Sequence, residues 1–160
     1  MAEFSELPLK YRLPIVAYRW RRIDPVPWAT LRRPLHEARI ALVTSAGLYR
    51  PGIDRDFGTR EDEDRSARFL PDDVDLASLA IGQTSDAFDR AAIDRDRNLA
   101  LPLDRLRELH AAGEIGEIAP QLVSFNGSIL APGRLVHDTA PQVAEVLMKD
   151  AVDAALFVPV

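Results

Sequence analysis

The side chains that could carry chemistry in this sequence of 160 residues do not include a cysteine. That absence excludes disulfides, thiolate metal sites and a thiol nucleophile within these residues. The three histidines, His36, His110 and His137, are widely spaced and lack an H-E-x-x-H neighbourhood, so they predict no metal site. Motifs for dinucleotides, phosphate loops or a nucleophilic serine are also missing. We therefore expect neither a metal nor a cofactor.

Carboxylates are more abundant, and two groups of them have a spacing that could support chemistry. The acidic run at residues 61–64 could bind a cation. Asp86, Asp89, Asp94 and Asp96 could supply an acid/base pair. The same patterns are typical of a solvated loop and of the polar face of a surface helix, and we favour that interpretation.

A turn rich in small polar residues, Ser-Phe-Asn-Gly-Ser at positions 124–128, is a further candidate. Such a segment can present backbone amides to an anion. Such a segment is more often an ordinary turn. The residues alone leave both interpretations open.

Charge is distributed unevenly along the chain, although the net value is only −5. Residues 1–50 carry nine Lys or Arg against four Asp or Glu, and the remainder is acidic. Arginines interleave with Tyr18, Trp20 and Trp28, an arrangement that could suit phosphates and stacked bases. No recognition motif accompanies them, so we expect this segment to wrap its own acidic domain, without a nucleic-acid partner.

The elements that must position these residues form an arm followed by one α/β domain. Residues 1–38 contain five prolines and should form an extended Pro/Arg-rich arm, with at most short helical pieces, that packs on the domain. Residues 39–160 should form a single domain. Within it, residues 39–47 are an apolar run that ends on small residues, typical of a buried strand feeding a loop. Residues 51–65 should be a solvated loop.

The middle of the domain alternates between short strands and helices. We expect strands near residues 67–70, 79–81 and 99–101 and a helix at 87–97. A second helix should begin near Pro102, bury Leu103, Leu106 and Leu109 or His110, and end at Gly113.

The last unit has the clearest pattern. Asp138 or Thr139 should cap a helix that has Pro141 in its first turn, with Val143, Val146 and Leu147 as its apolar stripe. A turn at residues 150–153 then leads into an almost wholly apolar strand at 154–160.

Helices that alternate with fully apolar strands predict an α/β fold with a mostly parallel, Rossmann-like or flavodoxin-like sheet. A buried parallel strand normally feeds a further loop and helix, so we expect the domain to be incomplete at its C-terminal end. The apolar runs are much shorter than the ~20 residues that a membrane span needs. Without such a span or a signal peptide, we expect a cytoplasmic protein with no membrane partner.

Three long runs resemble one known family: PLHEARIALVTSAGLYRPG at 34–52, SDAFDRAAIDRDRNLALPLDRLRELHAAGEIGEIAP at 85–120, and SFNGSILAPGRLVHDTAPQVAEVLMKDAVDAALFVPV at 124–160. Together they resemble the selenoprotein B family of glycine/sarcosine/betaine reductases, which includes a D-proline reductase subunit. The likeness is to its short, single-domain bacterial members, and it covers nearly the whole chain.

The resemblance implies an oxidoreductase that breaks a carbon–heteroatom bond with a selenol or thiol. A thioredoxin-type reductant would then restore the selenol. Written in the opposite, bond-forming direction, the same reaction has a disulfide as its acceptor. In such relatives the apolar strand continues into a selenocysteine- or cysteine-x-x-cysteine motif and a helix, so the expected nucleophile follows Val160. A helix N-terminus would stabilise the chalcogen anion there. We expect a small amine or amino-acid-like substrate, and partner subunits or a homo-oligomer.

The chain departs from the family pattern in three ways. Gln83 stands where we expect a histidine, Asn126 stands where we expect a methionine, and the sequence ends before the reactive motif. One hypothesis is that a UGA codon for selenocysteine was read as a stop. The DNA that follows the Val160 codon would test it.

The resulting hypothesis is that this chain forms the substrate-shaping part of such a reductase and supplies no catalytic residue itself. An alternative is a non-catalytic binding or regulatory domain that kept the fold and lost the redox loop. A third is an anion- or nucleotide-binding module with the arginine arm as its basic surface. The candidate pocket residues are Ser45 and Gly47 at the end of the first strand, Gln83, Ser85 and Asp89 on the same rim, and Ser124, Asn126 and Gly127 in the polar turn.

Overall fold

The computed structural model describes residues 4–18, 22–58, 64–83, 85, 88–129 and 131–160. The chain divides into two compact units, Met1–Thr30 and Leu31–Val160.

The first unit contains a short 3-10 turn, Phe4–Glu6, and helix α1, Leu9–Ala17. This helix of nine residues is longer than the short helical pieces expected from the prolines. The carbonyl oxygen of Pro8 accepts hydrogen bonds from the amides of Tyr11 and Arg12, which closes the first turn.

The second unit contains the strands and the remaining helices. Its strands are β1 (Arg39–Thr44), β2 (Leu48–Tyr49), β3 (Ala67–Pro71), β4 (Ala80–Ile81), β5 (Glu117–Ile118), β6 (Gln121–Phe125) and β7 (Ala154–Val158). Its α-helices are α2 (Arg90–Arg95), α3 (Leu103–Ala111) and α4 (Ala140–Lys149), and a π-helical segment, Leu135–Thr139, runs directly into α4.

Strand β1 lies at the centre of the main sheet. Strand β7 pairs parallel with β1 from Ile40 to Thr44. On the other side of β1, β5 pairs with its first residues and β6 with its last two, both in parallel. Strand β3 pairs antiparallel with β6 at the edge. This mostly parallel sheet with helices confirms the α/β fold class.

The core explains why β1 is apolar at consecutive positions. Ala41 and Leu42 are both completely buried, as expected for a parallel strand that is covered on both faces. Successive side chains point to opposite faces, so Leu42 joins the larger core and Val43 faces α4. The larger core also includes Leu70 and Leu122 from the neighbouring strands.

Several expected elements are confirmed, with changes at their ends. The strands near 67–70 and 79–81 are β3 and β4, and the helix predicted at 87–97 spans only Arg90–Arg95 among the described residues. Helix α3 buries Leu103 and Leu106, and Gly113 follows it with a φ of 73°. The expected third member of the stripe is wrong, because Leu109 and His110 are both exposed.

Two predictions are wrong for local reasons. Residues 97–99 form a 3-10 turn instead of a strand, because the Asp96 carboxylate accepts a hydrogen bond from the Asn98 amide. Neither Asp138 nor Thr139 caps α4, because the helical backbone begins before both of them. The Thr139 hydroxyl instead donates to the carbonyl oxygen of Arg65.

None of the described helices is long and apolar enough to cross a membrane. The cytoplasmic location expected from the sequence stays a prediction.

Candidate functional site

The carboxyl ends of β1 and β6 bring together most of the polar residues singled out in the sequence. Val43 pairs with Val123 and Thr44 with Ser124, so the residues that follow each strand emerge side by side. The loop after β4 joins them, because the Gly82 amide donates to the Gly47 carbonyl oxygen at 2.7 Å. We call this group the carboxyl-end cluster, and its members are Ser45, Gly47, Gln83, Ser124, Asn126 and Gly127.

Gln83 links the loop after β4 to the end of β1. Its side-chain Nε2 donates to the Ser45 carbonyl oxygen at 3.3 Å, and its Oε1 accepts from the Ser85 amide at 3.1 Å. The residue is only 4% exposed. Arg90 supports the same loop by donating to the Ile81 and Gln83 carbonyl oxygens. The amide of Gln83 is therefore held in one orientation.

Two glycines allow the backbones to approach this closely. Gly47 has a φ of 64°, a left-handed conformation that disfavours other residues. The Gly127 amide donates to the Ser45 carbonyl oxygen at 2.9 Å, and a Cβ at position 127 would lie 2.7 Å from Gln83 Nε2. Backbone atoms, rather than side chains, therefore form much of the wall of the cluster.

Ser124 has a structural position within the cluster. It is completely buried, and its Oγ accepts a hydrogen bond of 2.7 Å from the Leu48 amide. Because the hydroxyl anchors the start of β2 to β6, we assign Ser124 to the support of the cluster.

Ser45 connects the cluster to the end of β7. Its amide donates to the Val158 carbonyl oxygen at 3.2 Å, and its hydroxyl contacts the backbone of Val160. These bonds prolong the β1–β7 pairing beyond Thr44. The end of β7 is thereby fixed beside the cluster.

Asn126 is the buried polar residue of the cluster whose side chain has the least support. Its backbone forms an isolated antiparallel bridge with Ala46, and the residue is 6% exposed. Among the described residues, no donor reaches its buried side-chain Oδ1. Buried acceptors normally have a partner, so this atom requires an explanation.

The aspartates proposed as an acid/base pair have other roles. Asp89 caps α2 by accepting from the Ala92 amide, and within the described chain no contact joins its carboxylate to the carboxyl-end cluster. Asp94 pairs with Arg97. Asp96 caps the next turn, and Asp86 lies outside the described residues.

The acidic run at 61–64 falls largely outside the described residues, which include only Asp64. That carboxylate accepts a 2.7 Å hydrogen bond from Arg68. Burial raises the pKa of Asp64, but hydrogen bonds from Ser66 and Arg68 outweigh it and hold the pKa below its ordinary value. No group of three or more His, Asp or Glu that could hold a metal occurs in the described parts of the chain.

The sequence patterns did not predict the layer of side chains that supports the cluster from behind. Phe57, from the loop expected to be solvated, is 1% exposed and packs against Gly82, where a Cβ would lie 2.7 Å from the ring. The Arg68 guanidinium lies 4.1 Å from the centroid of the Phe57 ring. Arg68 also donates to the carbonyl oxygens of Arg55 and Asp56. A lone aromatic residue in a charged loop was the available signal.

An apolar cavity of about 310 Å³ lies between the sheet and α4. Val43, Val123 and Phe157 line it from the sheet, and Val143 and Leu147 line it from the helix. It shares no lining residue with the carboxyl-end cluster. We therefore treat the two features as separate.

The carboxyl-end cluster contains only neutral hydrogen-bonding groups. It can orient a polar ligand through amides, carbonyls and a hydroxyl, but its side chains provide neither a general base near neutral pH nor a strong nucleophile. The arrangement is therefore suited to binding and positioning.

Comparison with known families matches residues 14–159 to the glycine/sarcosine/betaine reductase selenoprotein B family. The match covers most of the 160 residues. The chain belongs to this family. The expectation drawn from the three sequence runs is confirmed at the level of the family.

Individual relatives of this selenoprotein B family chain are reductase subunits. The D-proline reductase subunit gamma of Acetoanaerobium sticklandii is 29% identical over 84% of this chain and 54% of its own length. The sarcosine reductase complex component B subunit beta of Peptoclostridium acidaminophilum is 27% identical over 84% of this chain and 30% of its own length. The glycine reductase complex component B subunit gamma of Symbiobacterium thermophilum is 30% identical over 88% of this chain and 32% of its own length.

This chain thus spans about half of the first relative and about a third of the other two. No solved structure matches it.

Proposed function

We propose that this chain is the substrate-shaping part of a reductase of the glycine/sarcosine/betaine reductase selenoprotein B type. In this proposal Ser45, Gly47, Gln83, Asn126 and Gly127 surround a small amine or amino-acid-like substrate. Ser85 holds the Gln83 amide in place. Ser124 and Asp89 support the backbone and do not contact the substrate.

The observation that carries the proposal is the position of the cluster. It lies at the carboxyl ends of parallel strands, where α/β proteins bind their ligands, and next to the end of β7. Its groups are neutral hydrogen-bonding groups, so they suit orientation better than bond breaking. Family membership supplies the reaction class that such orientation would serve.

The bond-breaking group in this proposal lies outside these 160 residues, because they contain no cysteine. A selenolate or thiolate attacks the substrate carbon, and the carbon–nitrogen bond breaks with its electron pair leaving on nitrogen. The attack leaves a carbon–chalcogen bond. One thiol of a thioredoxin-type dithiol attacks the chalcogen, and the carbon leaves with the bonding pair and takes a proton. The second thiol then releases the selenolate or thiolate as the dithiol becomes a disulfide. The names of the relatives as subunits of reductase complexes support a role for partner subunits.

The test is to isolate the protein, under native expression, with whatever subunits accompany it. Dithiol-dependent loss of glycine, sarcosine, betaine and D-proline is then measured, together with the selenium content. We expect activity and either selenium or a reactive cysteine in the complex, and no activity from the 160 residues alone. Strong activity of the purified, cysteine-free chain would overturn the assignment.

A second candidate is a non-catalytic binding or regulatory domain with the same fold. The lack of any thiol in these residues favours it. A complex that binds one of the four amines but contains no selenium, no reactive cysteine and no reductase activity would support this candidate over the first.

A further inference from the structure

The buried amide oxygen of Asn126 is the polar atom that the carboxyl-end cluster leaves unexplained. The residue is 6% exposed, and no donor among the described residues lies within hydrogen-bonding distance of Oδ1. Burying an acceptor without a partner forfeits the hydrogen bond it made to water. A native site can retain such an atom when a ligand supplies the donor.

The neighbouring donors are directed at other acceptors, and none of them reaches Asn126 Oδ1. The Gly127 amide and Gln83 Nε2 both donate to the Ser45 carbonyl oxygen, at 2.9 and 3.3 Å. The Gly47 amide donates to the Phe125 carbonyl oxygen at 3.0 Å. A donor for Asn126 Oδ1 therefore has to come from a group that these bonds do not involve.

Glycine backbone, instead of a side chain, borders this oxygen on one side. A Cβ on Gly47 would lie 3.2 Å from Asn126 Oδ1 and 3.1 Å from the Gln83 amide nitrogen. Since Gly47 has a left-handed φ of 64°, a larger residue is disfavoured there on backbone grounds as well. Asn126 Oδ1 thus faces a glycine surface instead of another side chain.

We propose that Asn126 is a specificity-determining residue whose amide oxygen accepts an N–H from the ammonium group of the substrate. The inference rests on the proposed function and adds a selection among amines. Primary and secondary ammonium groups carry N–H donors, and a charged donor makes a stronger hydrogen bond to a neutral acceptor. A quaternary ammonium has no N–H to offer, and aromatic faces usually bind such groups. None of the six cluster residues is aromatic.

Glycine, sarcosine and betaine make a matched series for the test. They share a carboxylate and a methylene, whereas their ammonium groups carry three, two and no N–H bonds. Binding of each is measured by calorimetry on the isolated complex. We expect glycine and sarcosine to bind at least about tenfold more tightly than betaine, the ratio that one charge-assisted hydrogen bond provides.

Three variants test whether the side-chain oxygen of Asn126 causes that preference. Asn126→Asp keeps an acceptor and should retain the preference. Asn126→Leu removes it and should bring the three affinities to within about threefold of one another. Gln142→Leu removes an exposed amide on α4 and serves as the control that leaves the preference unchanged.

The melting temperature separates this role from a structural one. Asn126→Leu replaces an unpaired buried acceptor by an apolar group, so its melting temperature should equal or exceed that of the parent. A fall of several degrees would show that the oxygen has a stabilising partner and would overturn the inference. If the Leu variant does not fold, Asn126→Asp and the amine series still decide.

The remaining outcomes are equally definite. Equal binding of betaine, or loss of the preference in Asn126→Asp, overturns the inference and leaves the reductase proposal intact. No binding of any of the three amines also overturns it. Reductase activity and selenium content, measured separately, show whether the proposed function fails as well.

Discussion

The hydroxyl of Ser45 contacts both polar atoms of the Val160 backbone, with Oγ 3.0 Å from the amide nitrogen and 3.2 Å from the carbonyl oxygen. Ser45 also donates its own amide to the Val158 carbonyl oxygen. The central strand therefore controls the position of the end of β7 through one small side chain. That end lies beside Gln83 and Gly127, which contact the Ser45 carbonyl oxygen.

Replacing Ser45 by Ala should loosen the end of β7. We expect faster hydrogen exchange at the Val160 amide and a loss of about 0.5–1 kcal/mol in the free energy of unfolding, because the hydroxyl bonds are partly exposed. Exchange followed by NMR and denaturant unfolding measure the two effects. Ser78→Ala is the control, since that hydroxyl donates to the Asp75 carbonyl oxygen within its own turn. Unchanged exchange at Val160 in Ser45→Ala would contradict the prediction.

Replacing Gly82 by Ala should destabilise the protein through the Phe57 ring. The new Cβ would lie 2.7 Å from Phe57 Cδ2 and 2.8 Å from its Cβ, and the buried ring has little room to move. We expect a loss of about 1–3 kcal/mol in a urea titration. Gly133→Ala is the matched control, because a Cβ there meets no atom within 4 Å. Equal stability of the two variants would show that the Phe57–Gly82 contact is not tight.

Replacing Arg68 by Met should lower the free energy of unfolding although it preserves the bulk of the side chain. Arg68 is 7% exposed, and its loss would remove the charged donor to Asp64 Oδ2 and the donor to the carbonyl oxygens of Arg55 and Asp56. Breaking a buried pair on one side typically costs about 3–5 kcal/mol. Chemical unfolding measures the loss.

The control for Arg68 is Arg105→Met, which breaks an exposed pair with Glu108. Such pairs contribute about 0–1 kcal/mol, so this variant should unfold almost like the parent. A similar loss in both variants would mean that the Arg68 network adds nothing beyond a surface ion pair.

Acid should weaken the fold partly through Asp54. The hydrogen bond from Arg50 holds the pKa of Asp54 below its ordinary value of 3.8, despite the opposing effect of burial. Between the folded and unfolded pKa values the unfolded chain binds more protons, so stability falls as the pH falls. The contribution is fully present well above pH 3.8 and is lost as the pH drops through the folded-state pKa.

Asp54→Asn tests this contribution. The stability difference between the parent and the variant should shrink when unfolding is measured at pH 6, 4 and 3. In an Arg50→Gln background the same substitution should show a much weaker pH dependence. A difference that stays constant from pH 6 to 3 in the parent background would refute the assignment to Asp54.

The parts of the fold that could be predicted from the sequence are those set by periodicity. The apolar run of β1 and the Leu103–Leu106 stripe of α3 identify buried elements because burial fixes their composition. The apolar run of β7 identifies a strand as well, but its Leu156 and Phe157 side chains are exposed. Gly113 marks a helix end because it takes a left-handed φ of 73°. The prediction of a strand at residues 99–101 is wrong because short-range hydrogen bonds of the Asp96 and Asn98 side chains determine the local backbone.

The site was harder to predict because it depends on contacts between distant residues. The end of β1, the loop after β4 and the turn after β6 were each recognised as candidates. Their convergence around Ser45, Gln83 and Gly127 depends on strand pairing that no local pattern specifies. Phe57 and Arg68 were missed because an aromatic ring and a guanidinium become partners only when their two segments meet.

The glycines around the carboxyl-end cluster constrain how such a site can diverge. A Cβ at position 82 or 127 would approach a neighbouring atom to 2.7 Å, and position 47 has a left-handed φ of 64°, so mutation at these positions costs stability. Positions 83 and 126 already carry full side chains and can exchange one hydrogen-bonding group for another on an unchanged backbone. If the cluster binds the substrate as proposed, single substitutions at these two positions would change which substrate it accepts and leave the backbone of the scaffold unchanged.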